Sequence, residues 1–261
     1  MYPAKIICLT EETVETLYLL GKEGLIAGVS EYVKRPKADH HHPVVTQFIK
    51  CHYDLIDQIA PDLIVGFSDL QKNIAAELIG RGHNVWISNQ RSIDEILNQI
   101  ILIGRVVGCE NEAQTLVNGF QKKIRFYQEK AKNFKLKPKV YFEEWDHPRL
   151  SCIQWVSELI EICGGENIFP THAMAKHREV SDQEIIEKNP DIIFACWCGK
   201  SFRPEKLLSR HGYENINAVR NKQVFELEAE VFLQPGPALF KDGIDILFSY
   251  LEKVSNLDAE K

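Results

Sequence analysis

Two kinds of hydrophobic run alternate along most of the chain. Lys5–Leu9, Leu25–Val29, Leu63–Phe67 and Val85–Ile87 are short and continuous, with the length and composition of strands buried on both faces. Between or after them, Thr13–Leu20, Leu70–Arg81 and Ser92–Val107 space their apolar residues as helices do. Leu20-Gly21 and Arg81-Gly82 place glycine where helix ends favour left-handed backbone. Buried strands separated by helices imply a parallel sheet covered on both sides.

The alternation stops at Glu110. From there to Phe134 the chain has no strand signal and no proline, and Leu116, Val117, Phe120, Ile124, Tyr127 and Ala131 recur at helical spacing. About 25 residues at ~1.5 Å rise span roughly 38 Å, the size of a small lobe, so this segment predicts a spine helix. After Pro138 the alternation resumes, with strands at Lys139–Glu143, Ile192–Ala195 and Val224–Leu227 and helices at Trp155–Cys163, Asp182–Lys188 and Pro237–Val254.

The two halves echo each other. Ala60-Pro61-Asp62-Leu63-Ile64-Val65 has its counterpart in Asn189-Pro190-Asp191-Ile192-Ile193-Phe194, and Leu20-Gly21-Lys22-Glu23-Gly24 has a looser one in Cys163-Gly164-Gly165-Glu166. The expected fold is α/β: two Rossmann-like lobes with parallel sheets, residues 1–108 and 136–261, joined by one long helix at 109–135. A ligand cleft is expected between the lobes.

A net charge of −6 and a pI near 5.9 give no general pull toward nucleic acid or anionic membranes. The basic cluster from Lys122 to Lys139 is interrupted by Glu129 and reads as a solvated helix face. No stretch approaches the ~18 apolar residues of a membrane span. The apolar run Ile6–Leu9 is half a signal-peptide core, and Glu11 and Glu12 end it. Seven scattered cysteines form a poor disulfide framework. The expectation is a cytoplasmic protein, or a periplasmic or cell-surface one if a leader precedes this sequence.

The chain lacks a Gly-x-Ser-x-Gly elbow, a phosphate loop and a Gly-x-Gly-x-x-Gly turn, which weighs against the commonest α/β enzymes. His40, His41 and His42 stand in a loop-like stretch where adjacent residues cannot all face one ion. Cys196-Trp197-Cys198 is a weak metal signal without a second pair at zinc spacing, so no metal site is assigned. Its place at the carboxyl end of a predicted parallel strand is nevertheless where α/β sheets present ligand-binding groups.

Trp145 and Trp197 follow predicted strands of the second half, and Phe67 holds the matching place in the first. Such rings suit a large, flat, partly apolar ligand. Trp86 and Trp155 read as caps of the sheet cores. Glu143-Glu144-Trp145-Asp146-His147-Pro148 gathers three carboxylates round a tryptophan. Phe232-Leu233-Gln234-Pro235-Gly236-Pro237 is a rigid turn opening the last helix, whose N–H groups would meet a polar ligand group.

These segments carry a resemblance. Pro61–Val65, the spine, Glu144-Trp145 with Pro148, Trp155–Leu159 running to Gly164–Asn167, Ala218–Asn221 and Gln234–Pro237 stand in the order found in solute-binding proteins with a helical spine. The chain resembles their vitamin-B12-binding-like branch, which serves ABC importers, and Trp197-Cys198-Gly199-Lys200 resembles a subgroup that commonly lacks a signal peptide. The resemblance implies a binding protein for cobalamin, haem or a ferric chelate carried as ligand, with no intrinsic cofactor.

It implies Tyr32 and Phe67 as cleft aromatics, and leaves Arg35 and Leu150 where relatives carry rings. The added cations suggest a more anionic ligand than cobalamin. Permease-docking glutamates fall on Lys72 and Gln183, with Glu77 and Glu184 as shifted equivalents. The ligand-binding set expected is Tyr32, Arg35, Phe67, Glu144, Trp145, Arg178, Trp197, Cys198 and Gln234. The partners expected are a small-molecule ligand and an ABC permease, with no nucleic acid and no membrane insertion. The alternative is a cytosolic enzyme recruited from this fold, acting on a metal cofactor or small anion through Arg35, Glu144, His147, His177, Arg178 and Cys198.

Overall fold

A computed structural model describes residues 2–37, 41–170 and 178–257. The chain forms two compact units. One comprises Met1–Gln90, Asp94–Gly119 and Gln234–Ala238; the other comprises Arg91–Ile93, Phe120–Leu233 and Leu239–Lys261.

The first unit is built from β1 (Ile6–Cys8), α1 (Glu11–Leu19), β2 (Ile26–Ser30), β3 (Val44–Thr46), α2 (Tyr53–Ile59), β4 (Leu63–Phe67), α3 (Lys72–Gly80), β5 (Val85–Ser88) and α4 (Ile93–Val106). All five strands are parallel, in the order β3-β2-β1-β4-β5. Ile7, Leu9, Val45, Ile56, Ile64, Ile74 and Leu78 form one apolar cluster. The chain runs outward from β1 to β3 and then returns to the other side of β1 with β4. This reversal is a switch point, and it presents the residues after β1 and β4 at a crevice on the carboxyl edge.

The helix α5 (Glu110–Ala131) begins where the sequence predicts and ends three residues earlier, and the chain passes from one unit to the other within it. The second unit continues with β6 (Lys139–Asp146), β7 (Arg149–Ser151), α6 (Gln154–Ile162), β8 (Glu166–Asn167), α7 (Asp182–Lys188), β9 (Ile192–Ala195), α8 (Pro204–Leu208), α9 (Asn217–Arg220), β10 (Val224–Glu226), α10 (Ala229–Phe232) and α11 (Ile244–Leu257). The sheet order is β10-β9-β6-β7, with β8 also on β6. β6 pairs in parallel with β8 and β9, and β9 with β10; β7 folds back antiparallel on β6. The second sheet is therefore mixed, because β6 runs on to Asp146 and turns back at once. The last helix takes its regular form from Ile244, after a wide π-type turn at Leu239–Gly243.

The repeated Pro-Asp signal has one structural use in both units. Ala60 and Asn189 end α2 and α7 in the left-handed conformation. Asp62 then accepts N–H bonds from Ala4 and Lys5 at 2.8 Å, which fixes the entry to β1. Asp191 accepts from the Lys139 N–H at 2.9 Å, at the entry to β6. Each carboxylate aligns the central strand beside its own. No helix among the described residues is long and apolar enough to cross a membrane.

Candidate functional site

In the first unit the switch-point crevice is bordered by the first turn of α1. Acidic residues suit this position because the helix's N-terminal N–H groups carry partial positive charge. Glu11 accepts the Lys34 N–H at 2.8 Å. Glu15 accepts both Nε and Nη2 of Arg35, at 3.2 and 3.1 Å. Arg35, predicted as a ligand cation, is thus neutralised within its own unit.

Glu12 lies between these two acids and is 3% exposed. Its Oε1 accepts the Thr10 hydroxyl at 2.5 Å, while its Oε2 is buried with no hydrogen-bond partner among the described residues. Burial pushes this carboxyl up to about 7 against the opposing hydrogen bonds from Thr10 and its own N–H. Gly236 packs directly on it: a Cβ there would stand 2.5 Å from the Glu12 Cβ. The neighbouring Pro235 carbonyl accepts Gln90 Nε2 at 3.3 Å, and Gln90 Oε1 is buried without a partner. Gln234 is half-buried and its carbonyl takes the Gly236 N–H at 2.9 Å.

The other predicted residues of this unit differ in exposure. Tyr32 is 53% exposed after β2, whereas Phe67 is buried as the last residue of β4. Ser68 follows at φ 81°, ψ 143°, a region that side chains other than glycine seldom occupy. Its Oγ accepts the Leu70 N–H at 3.3 Å.

In the second unit adjacent positions on β6 send side chains to opposite faces, and Glu143 and Glu144 meet different fates. Glu143 is 0% exposed and holds Arg210 in a two-toothed pair at 2.5 and 2.9 Å. It also accepts from the Trp197 indole at 3.1 Å and the Tyr141 hydroxyl at 3.0 Å. The network extends through Tyr213 to Asp182, which pairs with Arg149 at 2.7 Å. Trp197 is accordingly 4% exposed, set edge-on against Phe202 in the core.

Glu144 has no such partner. Its Oε2 is buried and unbonded among the described residues, and burial pushes its carboxyl up to about 7 although the Ile153 N–H and the Arg91 charge oppose this. Trp145 is half-buried and donates its indole N–H to the His147 carbonyl at 2.9 Å. Lys200 joins these elements: its ammonium lies 4.0 Å from the Trp145 ring centre and 5.0 Å from that of Trp197, and it pairs with Asp146. Cys198 is exposed, while the buried Cys196 thiol is held well above the usual range by desolvation.

Arg178 stacks over Phe169 and pairs with Glu184 at 2.7 Å. Glu184 also closes the capping box of α7 with Ser181, and Glu77 pairs with Arg81 at 2.8 Å. His40 and His177 lie outside the described residues. Among the described residues no group of three or more His, Cys, Asp or Glu side chains is placed to hold a metal ion.

The structure therefore gathers Trp145, Trp197 and Asp146 around Lys200. The sequence alone does not single out Glu12, Lys200 or Arg210 as site residues. In the sequence Glu11 and Glu12 read as the polar end of an apolar run, although acids directly after a first strand also suit the charged start of a helix.

A family model described as periplasmic binding protein matches residues 6–231. The chain belongs to the periplasmic binding protein family. The family is made of binding proteins. The vitamin B12-binding protein of Vibrio cholerae is 24% identical over 256 residues, covering 96% of this chain and 90% of the relative. An ABC transporter substrate-binding lipoprotein of Bacillus subtilis, YvrC, is 24% identical over 257 residues, covering 94% of this chain and 79% of the relative. The periplasmic heme-binding protein RhuT from Roseiflexus has the same fold, with a TM-score of 0.83 at 17% identity over 96% of this chain and 98% of its own.

Proposed function

We propose that this protein is a non-enzymatic binding protein for a metal chelate of tetrapyrrole size, a corrinoid, haem or ferric chelate, of the kind that serves an ABC permease. The observation that carries the reading is the carboxyl edge of each sheet. In each unit it combines an aromatic surface with a buried carboxyl oxygen that has no hydrogen bond among the described residues: Tyr32 with Glu12, and Trp145 with Glu144. Such edges are where α/β sheets hold ligands. The V. cholerae relative named for vitamin B12 and the fold shared with a haem-binding protein support the ligand class.

The proposed ligand contacts are Tyr32, Phe67 and Gln234 in the first unit, and Glu144, Trp145 and Cys198 in the second. Arg35, Arg178 and Trp197 act by position, since each is engaged within its unit. The seven cysteines, all among the described residues, form no disulfide, which supports a reducing compartment. Titration of the purified protein with aquocobalamin, haemin and a ferric siderophore tests the reading. The expected result is a 1:1 spectral shift with one of them at micromolar concentration or below; no shift with any of the three would overturn it.

A further inference from the structure

A net charge of −6 conceals a local excess of the opposite sign. Residues 122–139 hold eight Lys and Arg side chains against one acid, Glu129. This stretch closes α5 and enters β6 at its amino end, the opposite end of that strand from Glu144 and Trp145.

Helical spacing divides this part of α5 into two faces. Phe120 and Ile124 are buried, and Tyr127 donates to Asp245 at 2.5 Å, where Lys123 also pairs at 2.6 Å. Lys122, Arg125, Phe126, Glu129 and Lys130 follow the i, i+3, i+4, i+7, i+8 pattern of the opposite stripe, and all five are exposed. Phe126 is 55% exposed, with the Lys130 ammonium 5.5 Å from its ring centre. Glu129 is engaged by Lys132 at 2.6 Å. Among the described residues Lys122, Arg125, Lys135 and Lys137 have no carboxylate partner. Past the helix end, Lys132, Lys135 and Lys137 border a cavity of about 340 Å³ whose one acid is Glu161.

Unpaired like charges on successive turns repel one another, and an exposed phenylalanine keeps its apolar surface in water. Both costs are relieved against a surface that is negative outside and apolar within. We infer that the outward stripe of α5 and the lysine-bordered cavity beside it form a docking surface for an anionic phospholipid bilayer. The cations meet headgroup phosphates, and Phe126 enters the boundary between headgroups and acyl chains. Nucleic acid fits less well. Only one of the eight cations is arginine, the residue suited to bidentate phosphate contacts, and a single ring makes no stacking platform. The contact is peripheral, since no described helix can cross a membrane.

The test is co-sedimentation of the full chain with vesicles of phosphatidylcholine alone, or of phosphatidylcholine with phosphatidylglycerol, at low and high salt. Half-maximal binding to the anionic vesicles is expected at about 1 mM lipid or below in low salt. High salt should release the protein, and the neutral vesicles should not retain it. Replacing Lys122, Arg125 and Lys137 together by glutamine should weaken binding about 100-fold, about fivefold for each cation. These three side chains are exposed and break no ion pair when removed, so the variant should unfold at the wild-type temperature. Phe126→Ala should weaken binding further in a way that salt does not mimic.

Failure to sediment with the anionic vesicles at low salt would overturn the inference, as would equal retention by the neutral ones. A triple variant that binds as the wild type does would overturn it too. Tighter binding to a DNA duplex than to the anionic vesicles would replace the bilayer with a nucleic acid. The wild-type comparison of lipids and salt requires no variant to fold.

Discussion

Glu12→Gln should make the protein more stable at neutral and alkaline pH and leave it unchanged in acid. The Glu12 carboxyl moves from an ordinary value of 4.5 to about 7 on folding because burial disfavours its charge. Between those values the folded chain binds more protons than the unfolded one, so stability falls as pH rises through this window. Well below pH 4.5 both states are protonated and Glu12 costs nothing; well above pH 7 the folded state carries the full penalty. A difference of 2.5 between the two pKa values, at 1.36 kcal/mol each, amounts to about 3 kcal/mol. Glutamine imitates the protonated carboxyl, and its amide oxygen can still accept the Thr10 hydroxyl that now bonds at 2.5 Å. The neighbouring Cys8 thiol is pushed far above this pH range by burial and stays neutral throughout.

The assay is thermal unfolding of the wild type and the variant at pH 4.5, 6, 7 and 8. Titrations common to both chains cancel in the difference. The variant's advantage should be near zero at pH 4.5 and reach about 8 °C at pH 8, taking about 2–4 °C per kcal/mol. Parallel curves would refute the reasoning, since they would mean that Glu12 ionises as easily folded as unfolded.

Three further outcomes follow from packing and charge. Arg210→Met leaves the Glu143 carboxylate buried without its cation and should cost about 3–5 kcal/mol in urea unfolding, with much of the loss restored by adding Glu143→Gln. Lys200→Met removes the ammonium from the Trp145 and Trp197 faces; the expected cost is about 1 kcal/mol, with a change in tryptophan emission that Asp146→Asn reproduces in part. Gly66→Ala places a Cβ 2.4 Å from Gln71 Oε1, the atom that accepts the Phe67 N–H, so the variant should be destabilised by about 1–3 kcal/mol in the same unfolding measurement.

The long-range plan of the chain was legible because it is written in redundant signals. Buried parallel strands are continuous apolar runs, and Leu63–Phe67 and Ile192–Ala195 were bounded correctly to the residue. The Pro-Asp pairs were visible as a repeat, and their shared task of aligning a neighbouring strand explains why the repeat exists. Short edge strands were missed. Val44–Thr46 has three residues and an exposed first position, and Arg149–Ser151 contributes only one fully buried side chain, so neither makes a run. The site was less legible because its chemistry depends on pairing across the sequence. Glu143 and Glu144 are identical neighbours, yet one meets Arg210, 67 residues away, and the other keeps one buried oxygen unbonded among the described residues.

That dependence on pairing changes how the charges of the predicted ligand residues are counted. Arg35 and Arg178, counted along the chain, add positive charge among the predicted ligand residues and point to an anionic ligand. In the folded units Glu15 and Glu184 neutralise them, and a neutralised guanidinium attracts an anion weakly. Among the described residues the buried side-chain atoms without a hydrogen bond are oxygens, apart from Arg149 Nε, which has the Asp182 carboxylate beside it. Charge counted along the chain therefore overstates what these two residues leave available to a ligand. A guanidinium already paired with a carboxylate has little charge left to offer a second anion, whether the pair is largely buried, as at Arg35, or exposed, as at Arg178.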